Sequence, residues 1–521
     1  MTTLRHETHY GDRVVRCFAQ RHATIDAMFR AAAARAPERD ALVLGDERMP
    51  YRALDATVEA IAGNLTARGL RKGDRIALLL GNCFEFVTAV LACARAGIIV
   101  VPMSIRQRAP ETEFILNQCE AAALIYQADL AEHLPSPAAT PHLRERFVVG
   151  DGPGTPFAAL PAPARFTPVT IAEEDVFALL YTSGTTGRPK GAMLTHLGTI
   201  HSLLHFEHGM GLRDGEVSVL AVPASHVTGL VAILLTMVNV SGTTLLMPVF
   251  KARAFLELAA RTKMTHTLIV PAMYNLCLLD PDFARFDLSH WRIGSFGGAP
   301  MPGATIEKLA ALLPRLTLIN AYGSTETTSP VTLLPPGDVA AHADTVGKVL
   351  PCADVVVMDD DGREVAPGTS GELWIAGPMI VPGYWSNPDA DRAAFCGGYW
   401  KSGDIGSIDV QGYVRIHDRK KDMINRGGYK IYCIEVEGVL ARHAQVIECA
   451  VIGRPDPVLG ERVHAVIVPR APDIDLDELR AFCAGQLSDY KVPESFALIA
   501  DALPRNANGK VLKNALREQH G

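Results

Sequence analysis

The chain lacks a surplus of positive charge: 50 Lys and Arg stand against 57 Asp and Glu, a formal net charge of −7. That excludes a partner held by bulk basic charge, such as nucleic acid or an anionic membrane, and leaves room for local basic sites that hold phosphates. It also lacks any C-x-x-C among its ten scattered cysteines. Neither a disulfide framework nor a zinc site is expected, and reduced thiols in a cytoplasmic protein are. No secretory pattern is visible in residues 1–22, which are polar and mixed in charge. No apolar run is long enough to span a membrane. The nearest case, 217–250, contains no Asp, Glu, Lys or Arg, but Pro223, Ser225, His226, Asn239 and Ser241 interrupt it. It is expected to be buried core.

What is present is a chain of 521 residues, 48% hydrophobic and 21% charged. That is the balance of a soluble globular protein with two or more domains. Residues 24–35 predict a helix capped by Thr24. Residues 41–44 and 76–80 predict strands. Asn82 is expected to open a helix that Gly97 stops, and 98–101 predict the next strand. This strand–helix–strand rhythm implies an α/β fold with a mostly parallel sheet covered on both faces. Residues 134–167 are rich in Pro, Ala and Gly and predict a surface connection.

The apolar run 176–181 then feeds into Tyr181-Thr-Ser-Gly-Thr-Thr-Gly-Arg-Pro-Lys-Gly191. Glycines let backbone N–H groups turn inward, hydroxyls add donors, and Lys190 adds a point charge. Together they describe a loop for phosphate oxygens. The spacing is not the Walker pattern, because Gly191 follows Lys190. Further along, residues 316–321 predict a strand that leads into Tyr322-Gly-Ser-Thr-Glu-Thr327. By itself this second motif is a capped helix start with an acidic first turn. Both motifs stand at strand ends, where α/β sheets bind ligands.

In this order and spacing the two motifs resemble the adenylate-forming superfamily: acyl-CoA synthetases, luciferases and the adenylation domains of peptide synthetases, with acyl-CoA ligases the most similar. The resemblance covers nearly the whole chain. It implies a large multi-sheet N-terminal domain over 1–418, a hinge at 419–422, and a small mobile α+β C-terminal lid over 423–521. It implies ATP contacts from Thr182, Ser183, Gly184, Thr185, Thr186, Gly187 and Lys190. The strand-end Gly298-Ala299-Pro300, with Asn320, Tyr322 and Gly323, implies the adenine side. Thr325 is implied for the α-phosphate and Glu326 for Mg²⁺. Asp404, in Tyr399-Trp-Lys-Ser-Gly-Asp404, and Arg419 are implied for the ribose hydroxyls. Lys421 is the implied hinge residue, and Gly427, Gly428 and Tyr429 the implied thiol channel. Lys510, in Leu503-Pro-Arg-Asn-Ala-Asn-Gly-Lys-Val511, is implied as the lysine of the first half-reaction. The family usually has Arg where Lys513 stands, and Lys513 is given no role. Gly371-Glu-Leu-Trp-Ile375 and Pro382-Gly-Tyr-Trp385 read as structural.

The segment around His226 resembles the family's carboxylate and acyl site, with Val227, Thr228, Gly229, Met273 and Phe296 lining the pocket and Gly229 leaving space. No Asp stands nearby to pair with an α-ammonium, and a buried unpaired ammonium is costly. No Lys or Arg stands among these residues for a second carboxylate. The expected reaction is therefore the ATP- and Mg²⁺-dependent activation of a monocarboxylic acid as acyl-AMP, followed by transfer to coenzyme A. Loading of a carrier protein's phosphopantetheine stays open as an alternative. So does a nucleotide- or acyl-binding protein without catalysis, although Glu326, Asp404, Arg419 and Lys510 together argue against it. A homodimer is left open.

Overall fold

The computed structural model describes residues 3–183, 188–472, 474–505 and 511–520. Packing divides the chain into two compact units, Met1–Val355 with Ile375–Trp400, and Val356–Trp374 with Lys401–Gly521. Residues 356–374 and 401–418 thus pack with the C-terminal residues, although the hinge was expected at 419–422. Packing in one arrangement and the pivot of a motion are different properties, so the two divisions need not coincide.

The first unit is built on two sheets. A seven-stranded sheet runs in the order Pro189–Thr195, Val176–Ser183, Ile99–Pro102, Arg75–Leu79, Ala123–Gln127, Glu145–Val149 and Thr155–Pro156. Its pairings are parallel except for the hairpin between Val176–Ser183 and Pro189–Thr195. The central strands are apolar on both faces because the pleat deals alternate residues to two cores. Ile76 and Leu78 enter the large core shared with the second sheet, and Ala77 and Leu79 enter a smaller one under Ile115 and Leu116. The nine-stranded sheet is parallel through Asp40–Leu44, Thr243–Leu246, Val217–Leu220, His266–Ile269, Ile293–Gly297 and Thr317–Tyr322, with antiparallel strands at both edges.

Most sequence expectations fall on observed elements. The helix Ile25–Arg35 is capped by Thr24, whose hydroxyl accepts from the Ala27 N–H at 3.1 Å. The uncharged stretch 217–250 is core, and no helix among the described residues is long and apolar enough to cross a membrane. Two expectations need correction. Residues 134–167 are not only a surface connection: Glu145–Val149 is a sheet strand with Phe147 fully buried. Its apolar run, Phe147-Val-Val149, is only three residues long and is masked by flanking Pro and Gly. Asn82 does not open the helix Phe84–Ala96, whose N-cap is Cys83. Asn82 is instead a buried clamp described below.

The second unit holds most of the strands Gly371–Ala376 and Tyr399–Ile408 and all of Val414–Arg419, which belong to one sheet. A five-stranded sheet follows, in which Val446–Asp456 and Gly460–Pro469 pair over their full length. Val451, Val463, Ala465 and Ile467 face the helices Cys433–Leu440 and Leu476–Ala484, and Ala450, Ile452 and Val466 face Leu516 on the C-terminal helix Lys513–His520. The same alternation thus sandwiches this sheet between helices.

Several histidines of the first unit are locked neutral in the core. His196 accepts from the Ile25 N–H at 3.2 Å, and His201 accepts from the Phe18 N–H at 3.2 Å while its other nitrogen donates to the Leu197 carbonyl at 2.8 Å. Burial pushes His196, His201 and His266 down to about 4 and His205 to about 3. The unfolded chain therefore binds more protons than the native one below pH 6.5. Each such group removes stability at about 1.4 kcal/mol per pH unit once pH falls below the unfolded value, until its own folded pKa is reached. The urea midpoint is expected to fall steeply between pH 6.5 and 4.5 and to be nearly flat between pH 7 and 8. A flat profile across the acidic window would show that these histidines are protonated in the folded state.

Candidate active site

The phosphate-loop motif begins and ends at one level of the sheet. Thr182 and Lys190 are direct cross-strand partners in the hairpin. Gly184, Thr185, Thr186, Gly187 and the side chain of Ser183 lie outside the described residues, as does Lys510.

The second motif sits at the end of the strand Thr317–Tyr322. The Ser324 N–H donates to the Thr327 hydroxyl at 2.9 Å, which closes a tight turn and presents Glu326. The Glu326 carboxylate accepts from three hydroxyls: Thr182 at 3.3 Å and Tyr384 at 3.0 Å on one oxygen, and Ser324 at 3.1 Å on the other. Among the described residues no Lys or Arg pairs with it within 4.0 Å. Thr325 beside it is buried. The fold thus brings together Thr182, Lys190 and Glu326 from two motifs far apart in sequence. An uncompensated carboxylate ringed by neutral oxygens fits a hard cation such as Mg²⁺.

Sequence reasoning missed Tyr384, which had been read as part of a structural turn. Its hydroxyl reaches Glu326, and the Lys190 ammonium lies over its ring, 5.2 Å from the centroid. The residue is placed by backbone bonds on both sides. The Val381 N–H donates to the Glu326 carbonyl at 3.0 Å, the Met193 N–H to the Gly383 carbonyl at 3.1 Å, and the Trp385 N–H to the Gly191 carbonyl at 2.8 Å. Arg13 donates to the carbonyls of Val381 and Pro382 at 3.3 and 3.0 Å. The Tyr384 N–H donates to Asp391 at 2.7 Å. A Cβ on Gly383 would stand 2.8 Å from the Asp391 carboxylate oxygens, which would have to shift. The available sequence signal was a tyrosine in an otherwise apolar surrounding, because a buried phenol needs a hydrogen-bond partner.

Of the residues expected on the adenine side, Gly298, Ala299 and Pro300 are exposed just beyond the strand Ile293–Gly297. A Cβ on Gly297 would stand 2.4 Å from the Ala321 carbonyl, so this glycine serves close strand approach. Asn320 is buried and donates to the Thr345 carbonyl at 3.1 Å. Tyr322 is half-buried and Gly323 exposed.

Among the residues expected on the acyl side, His226 follows a stretch of backbone that Asn82 holds. The Asn82 amide donates to the carbonyls of Leu220, Val222 and Met247 at 3.0–3.1 Å and accepts from the Ala224 N–H at 2.8 Å. One buried side chain thus ties the sheet edge to the His226 turn. His226 lies 3.3 Å from the Thr228 hydroxyl, and burial lowers its pKa, which favours the neutral ring. Val227, Phe296 and Met273 are buried. Gly229 does not leave space as expected: a Cβ there would stand 2.2 Å from the Pro223 carbonyl. The chain itself fills that volume, so this glycine is needed for the turn.

In the second unit, Asp404 and Arg419 are direct cross-strand partners and form an ion pair at 2.8 Å. Asp404 is buried, and its orientation is further set by the neighbouring Ser402 hydroxyl, which accepts from the Asp404 N–H at 3.0 Å. Lys421 is exposed. Gly427 and Gly428 adopt φ of +58° and +90° in a hairpin turn that presents Tyr429, which stacks on Tyr490 at 4.7 Å and stays 58% exposed. Lys513 does have a structural role. Its ammonium pairs with the Glu437 carboxylate at 2.7 Å. Burial disfavours that charge, but Glu437 outweighs burial and raises the lysine pKa. Arg517 on the same helix pairs with Asp422 at 2.9 Å.

Residues 29–385 match the AMP-binding enzyme family, and residues 435–510 match the AMP-binding enzyme C-terminal domain. The chain is 35% identical over 481 residues to the long-chain-fatty-acid–CoA ligase FadD13 of Mycobacterium tuberculosis, covering 91% of this chain and 94% of that one. It is 35% identical to a feruloyl-CoA synthase of an Amycolatopsis species, covering 93% and 96%. Among solved structures it is similar to the anthranilate CoA ligase AuaEII in complex with anthranoyl-AMP, with a TM-score of 0.89, 26% identity and coverage of 96% and 98%. It is also similar to the o-succinylbenzoate CoA synthetase of Bacillus subtilis in complex with ATP and magnesium, with a TM-score of 0.85, 29% identity and coverage of 96% and 100%. The chain belongs to the AMP-binding, adenylate-forming enzyme family. Within it, the chain is an ATP-dependent acyl-CoA ligase.

Removing the Lys513 ammonium leaves the Glu437 carboxylate with the Val451 N–H, at 2.8 Å. Lys513→Met is expected to cost on the order of 1–3 kcal/mol in the second unit, the loss of a charged hydrogen-bond partner. Calorimetry would detect this as an earlier transition of that unit. An unchanged melting profile would contradict the structural role.

Proposed function

We propose that the chain joins a monocarboxylic acid without an α-amino group to coenzyme A through an acyl-AMP intermediate. The observation that carries this reading is the convergence of Glu326, Thr182 and Lys190 in one unit, with the Asp404–Arg419 pair formed in the other. In the first step a carboxylate oxygen bonds to the α-phosphorus of ATP, and the bond to pyrophosphate breaks. In the second, a thiol sulfur bonds to the acyl carbon and AMP leaves with the electron pair of the mixed anhydride.

The substrate is the nucleophile, so the protein's work is positioning and charge neutralisation. Lys190, the phosphate loop and Lys510 place positive charge and donors where negative charge builds. Mg²⁺, held through Glu326, supplies further neutralisation of the triphosphate when bound. Asp404 accepts from the ribose hydroxyls with Arg419 beside it. Thr325 holds the α-phosphate, and Tyr322 and Gly298-Ala299-Pro300 flank the base. A pivot at Lys421, between an N-terminal part ending at 418 and a lid from 423, carries Lys510 away for the second step and brings Gly427, Gly428 and Tyr429 to the thiol path. The acyl group lies among His226, Val227, Thr228, Met273 and Phe296. These side chains are apolar or neutral, which supports an aliphatic or aromatic acid with one carboxylate. The named relatives act on acids of both kinds.

The test is pyrophosphate release from Mg-ATP, with and without coenzyme A, across short, medium, long and aromatic acids. Acid-dependent release with acyl-CoA as product is expected. Release without a thioester from coenzyme A would point to a carrier protein as acceptor, and no acid-dependent release would contradict the ligase reading for the acids tried. Lys510→Ala is expected to lower adenylation by about a hundredfold or more. It should keep most of the thioester step from supplied acyl-adenylate. Equal loss in both steps would contradict its assignment to the first.

A further inference from the structure

We infer that Tyr384 is a positioning residue for the adenylation step: its hydroxyl sets the Glu326 carboxylate, its ring face sets the Lys190 ammonium, and the two opposite charges are thereby kept apart. The inference rests on the reading of Glu326 and Lys190 as the cation and phosphate side of the site. It goes beyond that reading by assigning a function to a residue of neither motif.

Tyr384 differs from three other buried tyrosines of this protein. Tyr51, Tyr126 and Tyr274 donate their hydroxyls to the backbone carbonyls of Gly242, Pro153 and Ser295. Those are satisfied core phenols. Tyr384 is only 5% exposed, yet it donates at 3.0 Å to the carboxylate that carries the site's uncompensated negative charge. The opposite charge, Lys190, rests against its ring at 5.2 Å. A carboxylate and an ammonium this close to a common side chain attract each other. Direct pairing would neutralise both and leave neither for the nucleotide. Lys190 and Glu326 form no ion pair within 4.0 Å among the described residues. The ring stands between them as a weak partner for each: a neutral donor to the anion and a π face for the cation. The phenol is itself held on its edge by Phe395, with ring centroids 5.9 Å apart, and by the backbone bonds at Tyr384 and Trp385. A partner that orients a metal-side ligand in this way typically costs tenfold or more in metal affinity when lost.

Tyr384→Phe keeps the ring and removes the donor. Tyr384→Leu removes both. Binding of Mn²⁺ in the presence of ATP and without acid, read by electron paramagnetic resonance, is the direct measure. Tyr384→Phe is expected to weaken Mn²⁺ binding about tenfold. Its affinity for AMP without metal should stay within about twofold of the parent, which also reports that the variant is folded. The thioester step from supplied acyl-adenylate should be unchanged. Tyr384→Leu should lose ATP affinity in addition, because Lys190 is freed to pair with Glu326. Glu326→Gln serves as the reference. If Tyr384→Phe binds Mn²⁺ like the parent while Glu326→Gln does not, Tyr384 is a packing residue and the inference fails. If both bind like the parent, the reading of Glu326 fails and the inference fails with it.

Discussion

The proposed active centre in the first unit depends on one short irregular stretch of chain. Residues 379–385 accept from Thr328 and Arg13, donate to the Glu326 carbonyl, and then join the strand Pro189–Thr195 by two backbone bonds. This stretch is the physical link between the phosphate-loop hairpin and the Glu326 turn. Each motif alone is a strand end with a polar loop. Their separation is fixed because the same backbone is hydrogen-bonded to both. Backbone bonds suit this task because they cannot change rotamer.

Polar groups buried elsewhere in the first unit serve the same end. Asn82 meets two carbonyls and one N–H from the chain leading to His226, and the Met247 carbonyl beyond the neighbouring strand. Unmet, those groups would each carry a desolvation penalty. Met by one rigid amide, they lock the turn at its only satisfied position. Gly229 then fits because nothing larger than hydrogen has room beside the Pro223 carbonyl. The pocket side chains are therefore presented by a backbone whose shape was settled by polar bookkeeping beneath them.

The second unit shows a comparable arrangement around its own functional residues. Asp404 and Arg419 face each other because two strands run antiparallel in register, with a bulge after Ile405. The helix Lys513–His520 is pinned by Lys513 to Glu437 and by Arg517 to Asp422. Lys513 makes a charge-assisted contact to the half-buried Glu437 carboxylate, with the Asp418 carboxylate adding to the negative field around it.

The sequence by itself determined the fold class, the strand and helix order, and the chemistry of the motifs. Glycine-rich loops, a carboxylate after a strand and a lysine near the chain end announce themselves because their residue types are dictated by local turns and by charge. Phe147 was hidden among prolines, since the apolar run of its strand is too short a signal. Only the tertiary structure decided which side chains meet. Tyr384, Asn82 and Lys513 take their roles from partners 58, 138 and 76 positions away. Such partners are chosen by sheet order and crossing segments, and no local pattern encodes them. Gly229 shows the same division: the sequence marked a glycine as needed, and the packing of Pro223 showed that the need lay in the turn rather than in the ligand.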